Sequence, residues 1–199
     1  PRPVISVNFD GKALAWQDIR IGDLTVDAGI DLKNGAMEIE QIRLVNQESS
    51  IALSGTADLI SPNTYTLLDN PAFNLELTDG LVFADNFSKK ADGTFAFNGH
   101  INGTLRQPEA TLFIEGEGLA AMDRSIGDLK ANMSLANGKI SLDPIKLTNN
   151  TSAIMIRGTA DVLHPETGQP LSDPGMDLTL KADGVQIKDF APEFTGQVS

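Results

Sequence analysis

The 199 residues include no cysteine, one tryptophan, one tyrosine and two histidines. Without cysteine there is no thiol nucleophile, no disulfide staple and no Cys-bound zinc, and the chain suits an oxidising compartment as well as the cytosol. His100 and His164 stand far apart in sequence rather than at the short spacing of paired zinc ligands. Cations are scarce too, with 15 Lys and Arg against 27 Asp and Glu and a formal net charge of −12. That balance disfavours nucleic acid and anionic lipid head groups, both of which attract Lys and Arg, but it leaves apolar acyl chains open as ligands. No window approaches the ~20 apolar residues of a transmembrane helix. No sustained apolar stripe at 3.6 spacing is present either, so no long helix is expected. A Gly-x-Ser-x-Gly elbow, a phosphate-cradling glycine loop and a Walker sequence are all missing. The chain is therefore not expected to be an enzyme, nor to carry a metal or cofactor.

What is present is alternation. Apolar residues recur at every second position with polar residues between them, as in Val7 and Phe9, Leu24 and Val26, Ile51 and Leu53. Period two is the signature of strands with one covered face. Asp10-Gly11, Asn34-Gly35, Asp79-Gly80, Asp92-Gly93, Asn98-Gly99, Asn102-Gly103, Asn137-Gly138 and Asp183-Gly184 punctuate the runs. Each such dipeptide tolerates the positive φ of a tight hairpin turn. Taken as turns, they predict an antiparallel meander of about eighteen short strands, some 85 Å long at ~4.8 Å per strand. Ile39 and Ile42 break the alternation by standing three apart, as do Leu142 and Ile145 with Asp143-Pro144 between them, which predicts a bulge or corner. Ser61 to Asn70 and His164 to Asp173 read as longer loops at one edge. Asp85 to Asp92 reads as a loop with one helical turn, and Asp189 to Glu193 as its shorter counterpart.

The chain also repeats itself. Gly55-Thr56-Ala57-Asp58-Leu59 returns as Gly158-Thr159-Ala160-Asp161-Val162, 103 positions later, and Ile21-Gly22-Asp23-Leu24 returns as Ile126-Gly127-Asp128-Leu129 at an offset of 105. This predicts two tandem units, residues 1–104 and 105–199, in one continuous all-β structure whose parts touch mainly their neighbours. Phe194 to Ser199 aligns with Phe97 to Asn102, and the whole reads as a piece of a longer array. Asp58 and Asp161 lie one unit apart. A paired-carboxylate mechanism needs two carboxyls within a few ångströms, so a turn or edge role is expected of them. Trp16 is expected to pack.

The run Phe95-Ala96-Phe97-Asn98-Gly99-His100-Ile101-Asn102-Gly103-Thr104-Leu105-Arg106-Gln107-Pro108 resembles the seam between repeats of the TamB family, in the AsmA-like group. Glu115-Gly116-Glu117-Gly118-Leu119, Ile126-Gly127-Asp128-Leu129 and Gly158-Thr159-Ala160-Asp161-Val162 resemble further positions of that family. The resemblance implies an elongated, curled antiparallel sheet, taco-like in section, with an apolar interior. It implies a periplasmic protein anchored in the inner membrane of a Gram-negative bacterium. The implied role is passive phospholipid transport to the outer membrane and a part in outer-membrane protein assembly with a TamA-like barrel partner, which regions outside these residues would contact.

Strand patterning alone leaves the apolar face open between an ordinary core and a groove, and the resemblance favours the groove. The residues expected to line it are Val7, Phe9, Ile21, Leu24, Val26, Leu32, Met37, Ile39, Ile42, Leu44, Ile51, Leu53, Phe73, Leu75, Leu77, Phe95, Phe97, Ile101, Leu112, Ile114, Leu129, Met133, Leu135, Ile140, Leu142, Ile145, Leu147, Ile154, Ile156, Met176, Leu178 and Leu180, with Phe83 belonging to the same face. The competing expectation is two tandem β-sandwiches with closed cores and a structural or adhesive role carried by the loops.

Overall fold

A computed structural model of the chain describes residues 4–16, 19–122, 124–186 and 197–198. The alternating runs form one curled antiparallel sheet of eleven strands in unbroken chain order. These are β1 (Val4–Trp16), β2 (Ile19–Asp31), β3 (Ala36–Asn46), β4 (Ser49–Ile60), β5 (Leu67–Phe83), β6 (Ala91–Thr104), β7 (Pro108–Ala121), β8 (Arg124–Ala136), β9 (Lys139–Asn149), β10 (Ser152–Asp161) and β11 (Met176–Asp183). A short ladder between β12 (Val185–Gln186) and β13 (Gln197–Val198) follows, and the turn of 3-10 helix Ala84–Asn86 joins β5 to β6.

The strands are fewer and longer than the Asn-Gly and Asp-Gly dipeptides predict. Asn34-Gly35 and Asn137-Gly138 do make hairpin turns, with Gly35 and Gly138 both at φ 75°. Asp79-Gly80, Asn98-Gly99 and Asn102-Gly103 instead lie inside β5 and β6. There the missing side chain serves lateral packing rather than turning. A Cβ on Gly80 would stand 2.4 Å from the Phe97 ring, and one on Gly99 would stand 2.5 Å from the Thr111 carbonyl oxygen. Glycine inside a strand marks such close approach of a neighbour.

The three-residue gaps are bulges. Two residues of β3 between Ile39 and Ile42 face one residue of β4, and Asp143-Pro144 of β9 face one residue on each neighbouring strand. Proline is accommodated because neither Asp143 nor Pro144 has a register partner. A further bulge lies in β5 between Leu77 and Gly80. Together these bend the sheet along its middle.

Among the described residues no second layer covers the sheet. Contacts concentrate between strands adjacent in sequence, and the accessible surface is 12827 Å², against about 9100 Å² for a compact chain of this mass. Among the described residues the buried hydrophobic ones are Ala28, Ile39, Ala52, Ala57, Leu119, Ala131 and Val185, four of them alanine. The expected tandem sandwiches are thus not formed, because a sandwich core buries large side chains from two facing sheets.

Equivalent geometry occurs 103 positions apart. Gly55 at φ 141° lies against the Asn74 carbonyl, and Gly158 at φ 148° against the Asp177 carbonyl. Val185 pairs with Val198 just as Val82 pairs with Phe95. Val198 therefore takes the position of Phe95 rather than that of Ile101, which the sequence alignment of the C-terminal residues predicts. The Ser61 N–H donates to the Thr66 carbonyl and the Tyr65 N–H to the Ser61 carbonyl, closing a tight turn that shortens the first expected loop, and Ile60 already pairs with Leu67. Phe194 and the Asp189 to Glu193 stretch lie outside the described residues, as does the side chain of Trp16.

Candidate functional site

Register decides which side chains share a face, since partners across an antiparallel ladder point the same way. Starting at Phe9, the partners run through Val26, Ile42, Leu53, Leu77, Gly99, Leu112, Met133, Leu142 and Gly158 to Leu178. This single row crosses all eleven strands without a polar side chain. A parallel row starts at Val7 and passes through Ile39, Leu75, Ile101, Leu135 and Ile140 to Met176, with only Ala28, Gly55, Ala110 and Ala160 between them. On the other side of the first row, Phe97, Ile114, Ala131, Ile145, Ile156 and Leu180 are successive partners, and Phe95 leads through Gly116, Leu129, Leu147 and Ile154 to Ala182. Leu24, Leu44 and Ile51 extend the same face over β2 to β4, and Met37 leads through Ala57 to Phe73.

The register places the residues expected on the apolar face there, except three. Ile21 falls in a register shift between Gly22 and Arg20 and has no partner on β1, and Leu32 lies in the turn after β2. Phe83 is a correction: it pairs with Thr94 on the opposite face. The β5 bulge inserts one residue, so Gly80 and Val82 take the inward positions and Phe83 turns out. Ile30, part of the same alternation, also lies on this face, and sequence reading missed Ile5 and the alanines there. Ile5 and Ile30 are partners, and strict alternation from Val7 and Ala28 is the signal that finds them.

The face is open. Its middle residues, such as Leu53, Leu77, Ile145 and Ile156, are half-buried by lateral packing. At the two edge strands Phe9 is 49% exposed and Leu180 64%. Concavities of about 400 and 500 Å³ lie on the opposite, polar face, around Asn98, Phe113 and Asn132 and around Asp27, Glu38 and Glu40. A trough open along its length encloses no volume, so exposed apolar area and not a cavity defines the candidate site.

Its rim is held by the buried polar side chains. Asn46 donates from Nδ2 to the Arg20 carbonyl at 3.0 Å, and Asn149 donates likewise to the Ser125 carbonyl at 3.2 Å. Ser49 Oγ accepts from the Phe83 N–H, and Ser152 Oγ accepts from the Gln186 N–H, both at 2.9 Å. These bonds fasten the closed ends of the β3–β4 and β9–β10 hairpins to neighbouring strands. At the opposite end, the Gln107 side chain donates to the Pro165 carbonyl at 3.4 Å, tying the β10–β11 loop to the β6–β7 turn.

The polar face carries the charge. Lys12 bridges Asp10 at 2.9 Å and Asp23 at 3.6 Å, and Lys130 bridges Glu115 at 2.7 Å. The Ala13 N–H, donating to Asp23, lowers that carboxyl's pKa, and the Asp10 and Glu115 carboxylates raise Lys12 and Lys130. Asp161 pairs with Lys139 at 3.2 Å at the end of β10, while Asp58 sits opposite Ala36 and Ala72. His100 Nδ1 lies 2.9 Å from Glu76 Oε2, and His164 is in the β10–β11 loop. Among the described residues no cluster of His, Cys, Asp or Glu is arranged to hold a metal.

No family model matches this chain, and no curated protein or solved structure does. Among the described residues no helix is long and apolar enough to cross a membrane.

Proposed function

We propose that the apolar face is a groove for the acyl chains of phospholipids, along which lipid passes between membranes without chemistry. The observation that carries the reading is the uninterrupted apolar row from Phe9 to Leu178. Ten inter-strand steps of ~4.8 Å carry it about 48 Å across the sheet. Along a strand, Ile154 to Ala160 covers about 20 Å at ~3.3 Å per residue, enough for an acyl chain of about 15 Å, half the ~30 Å hydrocarbon core of a bilayer. Each CH₂ moved from water onto such a surface contributes ~0.8 kcal/mol, while head groups stay in water at the open side. An exposed apolar face this long exceeds what a monomer normally leaves bare, and such surfaces mark binding sites. The sequence likeness to the TamB family supports the same reading. It extends it to a periplasmic position between inner and outer membranes and to outer-membrane protein assembly with a TamA-like partner.

Native mass spectrometry of the chain, prepared without detergent and then exposed to phospholipid vesicles, tests this. Bound phospholipid is expected on the wild type and on Glu38→Lys, which alters the polar face. Leu53→Asp and Ile156→Arg should abolish it while circular dichroism remains that of the folded sheet. Lipid retained by both folded groove variants, or absent from the wild type, overturns the reading.

A further inference from the structure

We propose that Phe87 is the stop against which acyl chains end, so that this part of the trough covers chains only up to a set length. The proposal rests on the acyl-groove reading above and adds to it an orientation and a limit for the lipid. Two residues join β3 to β4, whereas residues 84–90 join β5 to β6. The surplus length folds inward. Phe87 lies over Leu44, Ile51 and Val82, which belong to the apolar face where β3, β4 and β5 meet this margin. The space left beneath the ring is about 10 Å³, at the lower limit for a single water molecule, so no methylene chain passes there.

Hydrogen bonds hold the turn in this position. Asn86 Nδ2 donates to the Asn46 carbonyl at 3.2 Å and to Ser49 Oγ at 3.0 Å. The Phe87 and Ser88 N–H groups both donate to the Ala84 carbonyl at 3.1 Å. Asn46 and Ser49 are 2% and 3% exposed, so Asn86 shuts the hairpin end off from water while it carries Phe87 over the floor. Phe87 itself stays 49% exposed. A ring held half bare at the end of an apolar floor gives a chain terminus a surface to pack against.

The dimensions fit one chain lying along the strands. Leu53 is the first residue of β4 on this face that is clear of Phe87, and Leu59 follows Ala57 on the same face by strand alternation. Between them the floor runs about 20 Å at ~3.3 Å per residue, against about 15 Å for an acyl chain in one bilayer leaflet. With methyl ends toward Phe87, head groups lie at the opposite margin, where the β2–β3 and β4–β5 turns carry Lys33, Asn34, Ser61, Asn63 and Thr64. A chain longer than the floor leaves its surplus methylenes in water, because the stop denies them apolar cover.

Native mass spectrometry of the chain, exposed to equimolar mixed vesicles of dimyristoyl, dioleoyl and dierucoyl phosphatidylcholine, tests the stop. The wild type is expected to take up the long dierucoyl lipid no better than dioleoyl, since the added methylenes gain nothing. Phe87→Ala should raise the dierucoyl-to-dioleoyl ratio about tenfold, because the chain end then reaches Leu44, Ile51 and Val82. Phe87→Trp keeps the stop and should keep the wild-type ratio. Asn86→Ala frees the turn without changing the apolar floor and should move the ratio as Phe87→Ala does, which covers the case of a Phe87→Ala chain that fails to fold. Dimyristoyl lipid, shorter than the floor, should bind every variant alike, and circular dichroism checks each fold. Lipid bound by folded Phe87→Ala or Asn86→Ala in the wild-type ratio overturns the stop and leaves the groove standing. A wild type that prefers the dierucoyl lipid overturns the stop as well. A wild type that binds no phospholipid at all overturns the groove reading, and the stop with it.

Discussion

At the scale of single residues, two asparagines 103 positions apart explain an unsatisfied atom. Asn149 Oδ1 accepts from the Ser125 hydroxyl at 3.4 Å, whereas Asn46 Oδ1 is buried with no hydrogen-bond partner. The position corresponding to Ser125 is Arg20, whose backbone carbonyl serves Asn46 but whose side chain has no hydroxyl there. A buried acceptor left unmade costs free energy that a hydroxyl would recover. Arg20→Ser is expected to stabilise the chain by about 1 kcal/mol, read as a rise in the urea midpoint at unchanged slope. A midpoint that stays put or falls shows that Asn46 is satisfied in another way. None of this was legible in sequence: Asn46 and Asn149 look like ordinary turn residues, and only the third dimension shows that both are buried under a neighbouring strand.

At the scale of the element, alternation carried most of the apolar face, and the bulges carried the errors. Period two places Phe73, Leu75 and Leu77 together, and without the extra residue at Thr78 and Asp79 it would place Phe83 with them. Dipeptide chemistry misled in the same strand. Asn34-Gly35 turns the chain and Asp79-Gly80 does not, and what separates them is the Phe97 ring on the next strand, a partner seventeen residues away that no local pattern announces. A side chain at Gly80 must displace both that ring and the Phe97 carbonyl, 2.5 Å from a built Cβ. Gly80→Val should therefore destabilise by about 2 kcal/mol or more, the upper part of the range for overpacking. Gly175→Ala, whose Cβ meets only the Asp161 carboxylate at 3.4 Å, should be neutral within about 0.5 kcal/mol. Chemical denaturation of the two variants side by side checks the contrast. Equal effects would mean that the Phe97 ring does not lie over Gly80.

At the scale of the whole molecule, alternation could not say whether the apolar face is covered, because a sandwich strand and an open-sheet strand read alike. The difference lies in long-range contacts, and here each strand meets chiefly its sequence neighbours. Two consequences separate this architecture from a compact one. A compact chain of this length has a radius of gyration of about 16 Å, whereas one sheet with 12827 Å² of accessible surface must exceed it. Small-angle scattering extrapolated to zero concentration should give a value clearly above that figure. Stability should also be graded along the sheet, since among the described residues β1 and β11 are held from one side only while β6 and β7 are held from both. Amide exchange is therefore expected to be fastest in β1 and β11 and slowest through the middle of the sheet. A compact radius together with uniform protection would require the apolar rows to be closed over by packing, and an open trough along them would then have no place in this fold.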